Sequence, residues 1–382
     1  MGSGDKPIPQ TAQIIDLADQ FVLPGLIDCH VHLSTEFTAD IRLRMLQESD
    51  ADRAFRALEN AHKTLLAGFT TVRDVGSAGD AVFALRDAVE TGRVRGPRVL
   101  VSGEGITPTG GHGDDTNGFR DDLFPVPSPT NGVVDGVDAC RRAVRHQVKR
   151  GADCIKLTAT GGVLSNIGAG TEQQLFADEL RAIVETAHLL GKRVACHAHG
   201  ARGIKAAVLA GVDSIEHGTF LDDEAIELMR ERGTYLVPTI IAGKTVEENA
   251  GVPGYYPAAV AAKARQVGPV IQEAFGRAHR AGVRIAFGTD AGVCAHGINA
   301  REFLYMTEAG MSASDAIVSA TVNAADLCGL AGVVGAIRPG MAADLIATAT
   351  SPLDDIGTLL DVRFVMVGGL VVKQGGVSLL RP

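Results

Sequence analysis

The sequence predicts an α/β fold: a (β/α)8 TIM barrel with a small β-sandwich built from the two chain termini. Three observations carry that expectation. Eight short apolar or β-branched runs alternate with longer amphipathic segments, the pattern of repeated βα units and a parallel sheet. Metal-capable side chains fall at the C-terminal ends of five of those runs, where a barrel of this kind builds its site. After Ala325 the pattern changes to short strands punctuated by Gly and Pro, which reads as β-structure outside the barrel. With 382 residues, 46% of them hydrophobic, the chain can bury one large core. The expected division is residues 1–20 as a remnant of N-terminal β-structure whose first part is missing, 21–330 as the barrel, and 331–382 as the C-terminal strands.

Ala12–Leu17 reads as a strand able to join those C-terminal strands. Val22–His32 is the first barrel strand and ends in PGLIDCHVHL. Alternate side chains of a strand share a face, so His30 and His32 point one way while Cys29 and Val31 point the other. Two convergent imidazoles suit a divalent transition metal. Ala54, Leu58, Ala61 and Leu65 then give the apolar stripe of a packed helix. Strands at Phe69–Asp74 and Arg98–Gly103 lead to the segment ITPTGGHGDDTNGF, which holds His112 in a loop long enough to be functional.

The fourth strand, Cys154–Thr158, carries Lys156 inside CIKLTAT. A helix with Leu180, Ile183, Val184 and Leu190 on its apolar side precedes Arg193–His197, which runs into VACHAHG; His197 and His199 share a face there. Ser214–His217 ends in SIEHG, Tyr235–Thr239 follows, and Arg284–Thr289 delivers Asp290 in FGTDAG, with His296 beyond it in CAHG. Each polar residue alone has a structural use: Lys156 could snorkel, the histidine pairs could be hydrogen-bonded core groups, Asp290 could cap a helix. Independent structural uses would not all land at one end of one barrel.

A net charge of −9, with no Trp and no Lys/Arg run, argues against nucleic acid as a partner. No apolar stretch approaches the roughly 20 residues that span a bilayer, and mean hydropathy is +0.13, so a soluble protein without a membrane partner is expected. The polar start MGSGDKPIPQ carries no signal-peptide apolar region; the compartment stays open, cytoplasmic as the chain stands. Six scattered Cys without CxxC spacing read as buried thiols. A small-molecule substrate is the expected partner, and homo-oligomer interfaces on the helical face are compatible with this composition.

The ordered set HxH, Lys, His, His, Asp on successive strand ends resembles the metal-dependent amidohydrolase superfamily. PGLIDCHVHL, GGHGD, IKLTATGG, CHAHG, IEHG, FGTDAG and RPGMAADL together resemble its imidazolonepropionase-like branch, which includes dipeptidases, carboxypeptidases and ochratoxin-hydrolysing amidases. That resemblance implies a binuclear centre: His30, His32 and Asp290 on one divalent ion, His197 and His217 on a second, and Lys156 bridging them as a carbamate formed with CO2. Zinc is the default metal, with manganese, cobalt, nickel or iron also compatible. Water is then activated at neutral pH, the amide carbonyl is polarised at the His197 and His217 side, and Asp290 takes the proton and delivers it to the leaving nitrogen. His199 departs from the Tyr found in relatives that act on dipeptides; it is expected to contact the substrate, as is His112 through a substrate carboxylate. Ser34 and His296 are looser candidates for the pocket wall.

The expected reaction releases a C-terminal amino acid from an acyl-amino acid, such as phenylalanine from ochratoxin A, or from dipeptide-like substrates. Opening of a small cyclic amide is the alternative. A catalytically inactive structural homologue should have lost ligands, and this chain retains them all.

Overall fold

In the computed structural model, residues 12–17, 19–165 and 170–380 are described. One run that the sequence reads as a single strand is two. Phe21–Pro24 pairs antiparallel with Leu345–Thr348, whereas Leu26–Val31 (β1) pairs in parallel with Phe69–Asp74 (β2). Gly25 is the break. Its N–H donates to Asp344 O at 2.8 Å, and a Cβ there would lie 2.1 Å from Thr70 Oγ1, so only glycine lets the chain cross β2 at that distance.

The barrel continues with Arg98–Val101 (β3), Cys154–Thr158 (β4), Arg193–Gly200 (β5), Ser214–Phe220 (β6) and Tyr235–Val237 (β7), all neighbours parallel within the groups β1–β3 and β4–β7. Single backbone bonds close the ring: Asp153 N donates to Val101 O and Ile106 N to Lys156 O, each at 2.8 Å. The eighth segment, 284–291, lies between β7 and β1 through Leu236 N to Arg284 O (2.8 Å) and Asp290 N to His30 O (2.8 Å). The strand expected at Arg284–Thr289 is therefore present only as an extended bridge. Buried Asp28 explains the irregularity, because its carboxylate accepts from Thr289 N (3.1 Å), Thr289 Oγ1 (2.6 Å) and Asn299 Nδ2 (2.8 Å) where ladder bonds would run.

Helices wrap the outside. Asp50–Leu66 opens with a Ser49–Asp52 capping box and turns Ala57, Ala61 and Leu65 inward. In Ala177–Leu189, Leu180, Ile183 and Val184 are buried, whereas Leu190 is past the helix end and exposed. Helix Ile240–Ala250 starts from Thr239 in the left-handed region (φ 51°), and buried Glu302 accepts from Ile240 N (2.8 Å) and Ile241 N (2.7 Å). Glu302→Ala would strand both donors inside the protein. We expect it to cost about 2–3 kcal/mol of unfolding free energy, read as a lowered urea midpoint relative to Glu302→Gln.

The terminal strands form the β-structure expected outside the barrel and correct two of its details. Ala12–Leu17 is not a strand, and of the remnant expected over 1–20, residues 1–11 and 18 lie outside the described residues. Phe21–Pro24, Leu345–Thr348, Phe364–Val367, Leu370–Gln374 and Val377–Ser378 form one five-stranded antiparallel sheet, and among the described residues no second sheet faces it as a sandwich would require. Its apolar face needs no second sheet because Leu23, Ile346, Val365 and Val372 pack into the main barrel core. All six Cys are free thiols, and among the described residues no helix is long and apolar enough to cross a membrane.

Candidate active site

Strand ends converge on a cavity of about 390 Å³ whose lining includes His30, His32, Lys156, His197, His199, His217 and Asp290. The chain thus brings residues from β1, β4, β5, β6 and the eighth segment to the C-terminal mouth of one barrel, as expected of this fold. Within that cavity the potential ligands fall into two groups, His30 with His32 and Asp290, and His197 with His199 and His217; in each group the donor atoms lie within 4.8 Å of one another.

Each imidazole has one nitrogen occupied and the other turned inward. His30 Nδ1 donates to Glu216 Oε2 (2.7 Å), and His32 Nδ1 donates to Gly76 O (2.8 Å). His217 Nδ1 pairs with Thr239 Oγ1 (2.7 Å) and His199 Nδ1 with Thr219 Oγ1 (2.8 Å). His197 is the reverse, its Nε2 donating to Gly161 O at 3.3 Å. Fixing one nitrogen with a neighbouring acceptor and leaving the other bare is how proteins orient imidazole ligands.

Asp290 Oδ1 lies 3.5 Å from His30 Nε2 and 3.2 Å from His32 Nε2, is buried, and makes no hydrogen bond. A buried carboxylate oxygen left without a donor between bare imidazole nitrogens is costly unless a cation shares it. The residues present fit a metal. Backbone strain collects at the same place: His217 (φ 74°), Thr239 (φ 51°) and Asp290 (φ 58°) are the non-glycine residues with positive φ among those described, and such strain persists where surrounding structure enforces it, often at functional sites.

The electrostatics favour the ligand forms at His30, His197, His217 and Asp290, whereas at His32 burial pushes the imidazole down but Asp290 outweighs it and raises it. Burial, then the neighbouring positive charges and imidazoles, holds His197 and His217 well below the usual imidazole range; burial and Lys156 bring His30 down to about 4. Burial also lowers the Lys156 ammonium, against the pull of Glu216 and Asp290. For Asp290, burial pushes upward but His30, His32 and Lys156 outweigh it and keep the carboxyl below its ordinary value. Neutral imidazole and ionised carboxylate are the states that bind metal.

His112 also reaches the cavity, its ring centroid 4.2 Å from that of His197 and its Nδ1 buried without a partner. Ser34 lines the cavity, is buried, and donates to Ser77 Oγ (3.2 Å). His296 is the candidate that the structure keeps away. It does not line the cavity; Nδ1 is bonded with Thr64 Oγ1 (2.9 Å) and Nε2 donates to His32 O (3.3 Å), so the ring braces the backbone of His32 from behind.

Sequence reasoning missed the residues beneath the groups: Arg73, Glu216, and the hydroxyls of Thr219 and Thr239. The available signal was a charged residue inside each of two buried strands, FTTVRD and SIEHG. Glu216 is hard to see because alternation would turn either it or its neighbour His217 away from the interior. The positive φ at His217 breaks the alternation and lets both face inward.

Residues 21–372 match the model of the amidohydrolase family. The chain belongs to that family. Among curated relatives of this amidohydrolase, the ochratoxinase of Aspergillus niger is 33% identical over 381 residues, covering 94% of this chain and 76% of that protein. The imidazolonepropionase of Acidiphilium cryptum (strain JF-5) is 26% identical, covering 92% and 84%. A solved Xaa-Pro dipeptidase with bound methionine in the active site is 45% identical, with a TM-score of 0.92 over 98% of this chain and 90% of that one. The amidohydrolase is therefore a hydrolytic enzyme of the branch indicated by its motifs, on a barrel shared with the solved dipeptidase.

Proposed function

We propose that this amidohydrolase cleaves the amide joining an acyl group to an apolar C-terminal amino acid, in dipeptide-like substrates and in compounds such as ochratoxin A. The observation that carries this reading is the mixed lining of the cavity. The histidines, Lys156 and Asp290 share it with Val163, Leu164, Val246, Tyr256 and Val267, which belong to one apolar cluster suited to a Phe, Met or Pro side chain. The names of two relatives, a dipeptidase holding methionine and an ochratoxinase, support the same class. A compact cyclic amide would leave that apolar cluster uncovered.

His30, His32 and Asp290 would hold one divalent ion, His197 and His217 a second, with zinc preferred by the ligand types. Bound there, the pair supplies Lewis acidity, acidifying water and polarising the carbonyl. Burial moves Lys156 towards the amine that captures CO2, and the resulting carbamate would give a bridging anion. Asp290 accepts the proton lost by the attacking water and returns it to the leaving nitrogen. His199 orients the scissile carbonyl, His112 takes the substrate carboxylate, and Ser34 lines the pocket.

The test is a panel of zinc-reloaded enzyme with Xaa-Phe, Xaa-Met and Xaa-Pro dipeptides, N-acyl-phenylalanine, ochratoxin A and a cyclic imide, with the freed amino acid as readout and, for the imide, the ring-opened carboxylic acid. Release from the dipeptides, N-acyl-phenylalanine and ochratoxin A is expected. Activity confined to the cyclic imide would replace this reading.

A further inference from the structure

Below the two ligand groups, the barrel interior holds a charged pair that the proposed chemistry does not use. Arg73 and Glu216 have side chains 1% and 0% exposed, and Arg73 Nη2 lies 2.9 Å from Glu216 Oε1. Arg73 Nε donates to Cys29 O (2.6 Å), and Ser214 Oγ donates to Glu216 Oε1 (2.5 Å). Glu216 Oε2 is left for a single partner, His30 Nδ1, at 2.7 Å.

Burying two charges is expensive, and an apolar pair of similar volume would often serve stability equally well. The pair does something an apolar pair cannot. An ionised carboxylate only accepts, so His30 must carry its proton on Nδ1 and present a bare Nε2 towards Asp290. Arg73 keeps that carboxylate in place from the far side. Glu216 also precedes His217 directly, so one dipeptide of β6 braces the first ligand group and contributes to the second.

We propose that Arg73 and Glu216 are a positioning pair that fixes the tautomer and ring orientation of His30, and so sets metal affinity at the His30–His32–Asp290 position. The affinity part rests on the metal reading above; the tautomer part does not. Comparable partners behind imidazole ligands are worth about 10–100-fold in metal affinity.

Two measurements test it, each on wild type, Glu216→Gln and the charge-free double variant Arg73→Met/Glu216→Leu, which keeps the volume and leaves no lone buried charge. In metal-free protein, 15N spectra of the histidines should give His30 as the Nδ1–H tautomer in wild type and as a mixture in the double variant. Zinc titration against a competing chelator should then lose about 10–100-fold at one position in both variants, with the second position unchanged. A His30 that keeps its tautomer in the double variant overturns the proposal. So does unchanged zinc affinity in a variant whose only defect is a lower melting temperature, since that is the mark of a structural pair. If wild type takes up no zinc, the metal reading fails and the tautomer comparison alone decides this one.

Discussion

Asp290→Asn is expected to lower kcat by about 10²–10⁴-fold while the protein stays folded and keeps part of its metal. The carboxylate projects from a strained residue (φ 58°) whose backbone N–H is tied to His30 O at 2.8 Å, and Asn tolerates that conformation well. The substitution therefore leaves the backbone intact and removes the charge and the proton acceptor. An amide oxygen can still face the two bare imidazole nitrogens, which is why metal is only weakened, but it cannot carry a proton to a leaving nitrogen. Steady-state kinetics together with elemental analysis separate the two effects. Turnover preserved to within tenfold would remove Asp290 from the proton-transfer role.

Lys156→Met is expected to be the more complete loss, with activity falling below detection and at least one metal position emptied. Lys156 is buried on β4, lines the same cavity and feels the charges of Glu216 and Asp290, and a free ammonium there would repel bound cations. Methionine fills a similar volume, so folding should survive; circular dichroism checks this. If Lys156 acts as a carbamate, a short carboxylic acid added to the variant should restore some activity by supplying two oxygens at the vacated place. Native mass spectrometry of the wild type should find a species heavier by one CO2. A variant that keeps both metals and its turnover would show that the amine is a structural snorkelling group.

The barrel was legible because its signals are local: β-branched runs, amphipathic helices and a fixed order of His, Lys and Asp at strand ends. What escaped was set by tertiary geometry. The break at Gly25 depends on the approach of Thr70 from another strand, and the irregular eighth segment depends on Asp28 replacing ladder bonds from a distance of more than 250 residues. The support of the site was hidden for a related reason. Glu216 could not be read as inward-facing without the left-handed turn at His217, and His296 looked like a pocket residue only because its partner Thr64 lies on a helix remote in sequence. His30, His32, Lys156, His197, His217 and Asp290 were visible because their spacing repeats the strand ends themselves.

The most direct test of the account is the release of free phenylalanine or methionine from Xaa-Phe and Xaa-Met dipeptides by one preparation, first stripped with a chelator and then reloaded with two equivalents of zinc. Release by the reloaded protein and none by the stripped protein is the predicted result. A protein that holds two zinc ions per chain yet frees no amino acid from any dipeptide or acyl-amino acid would contradict it.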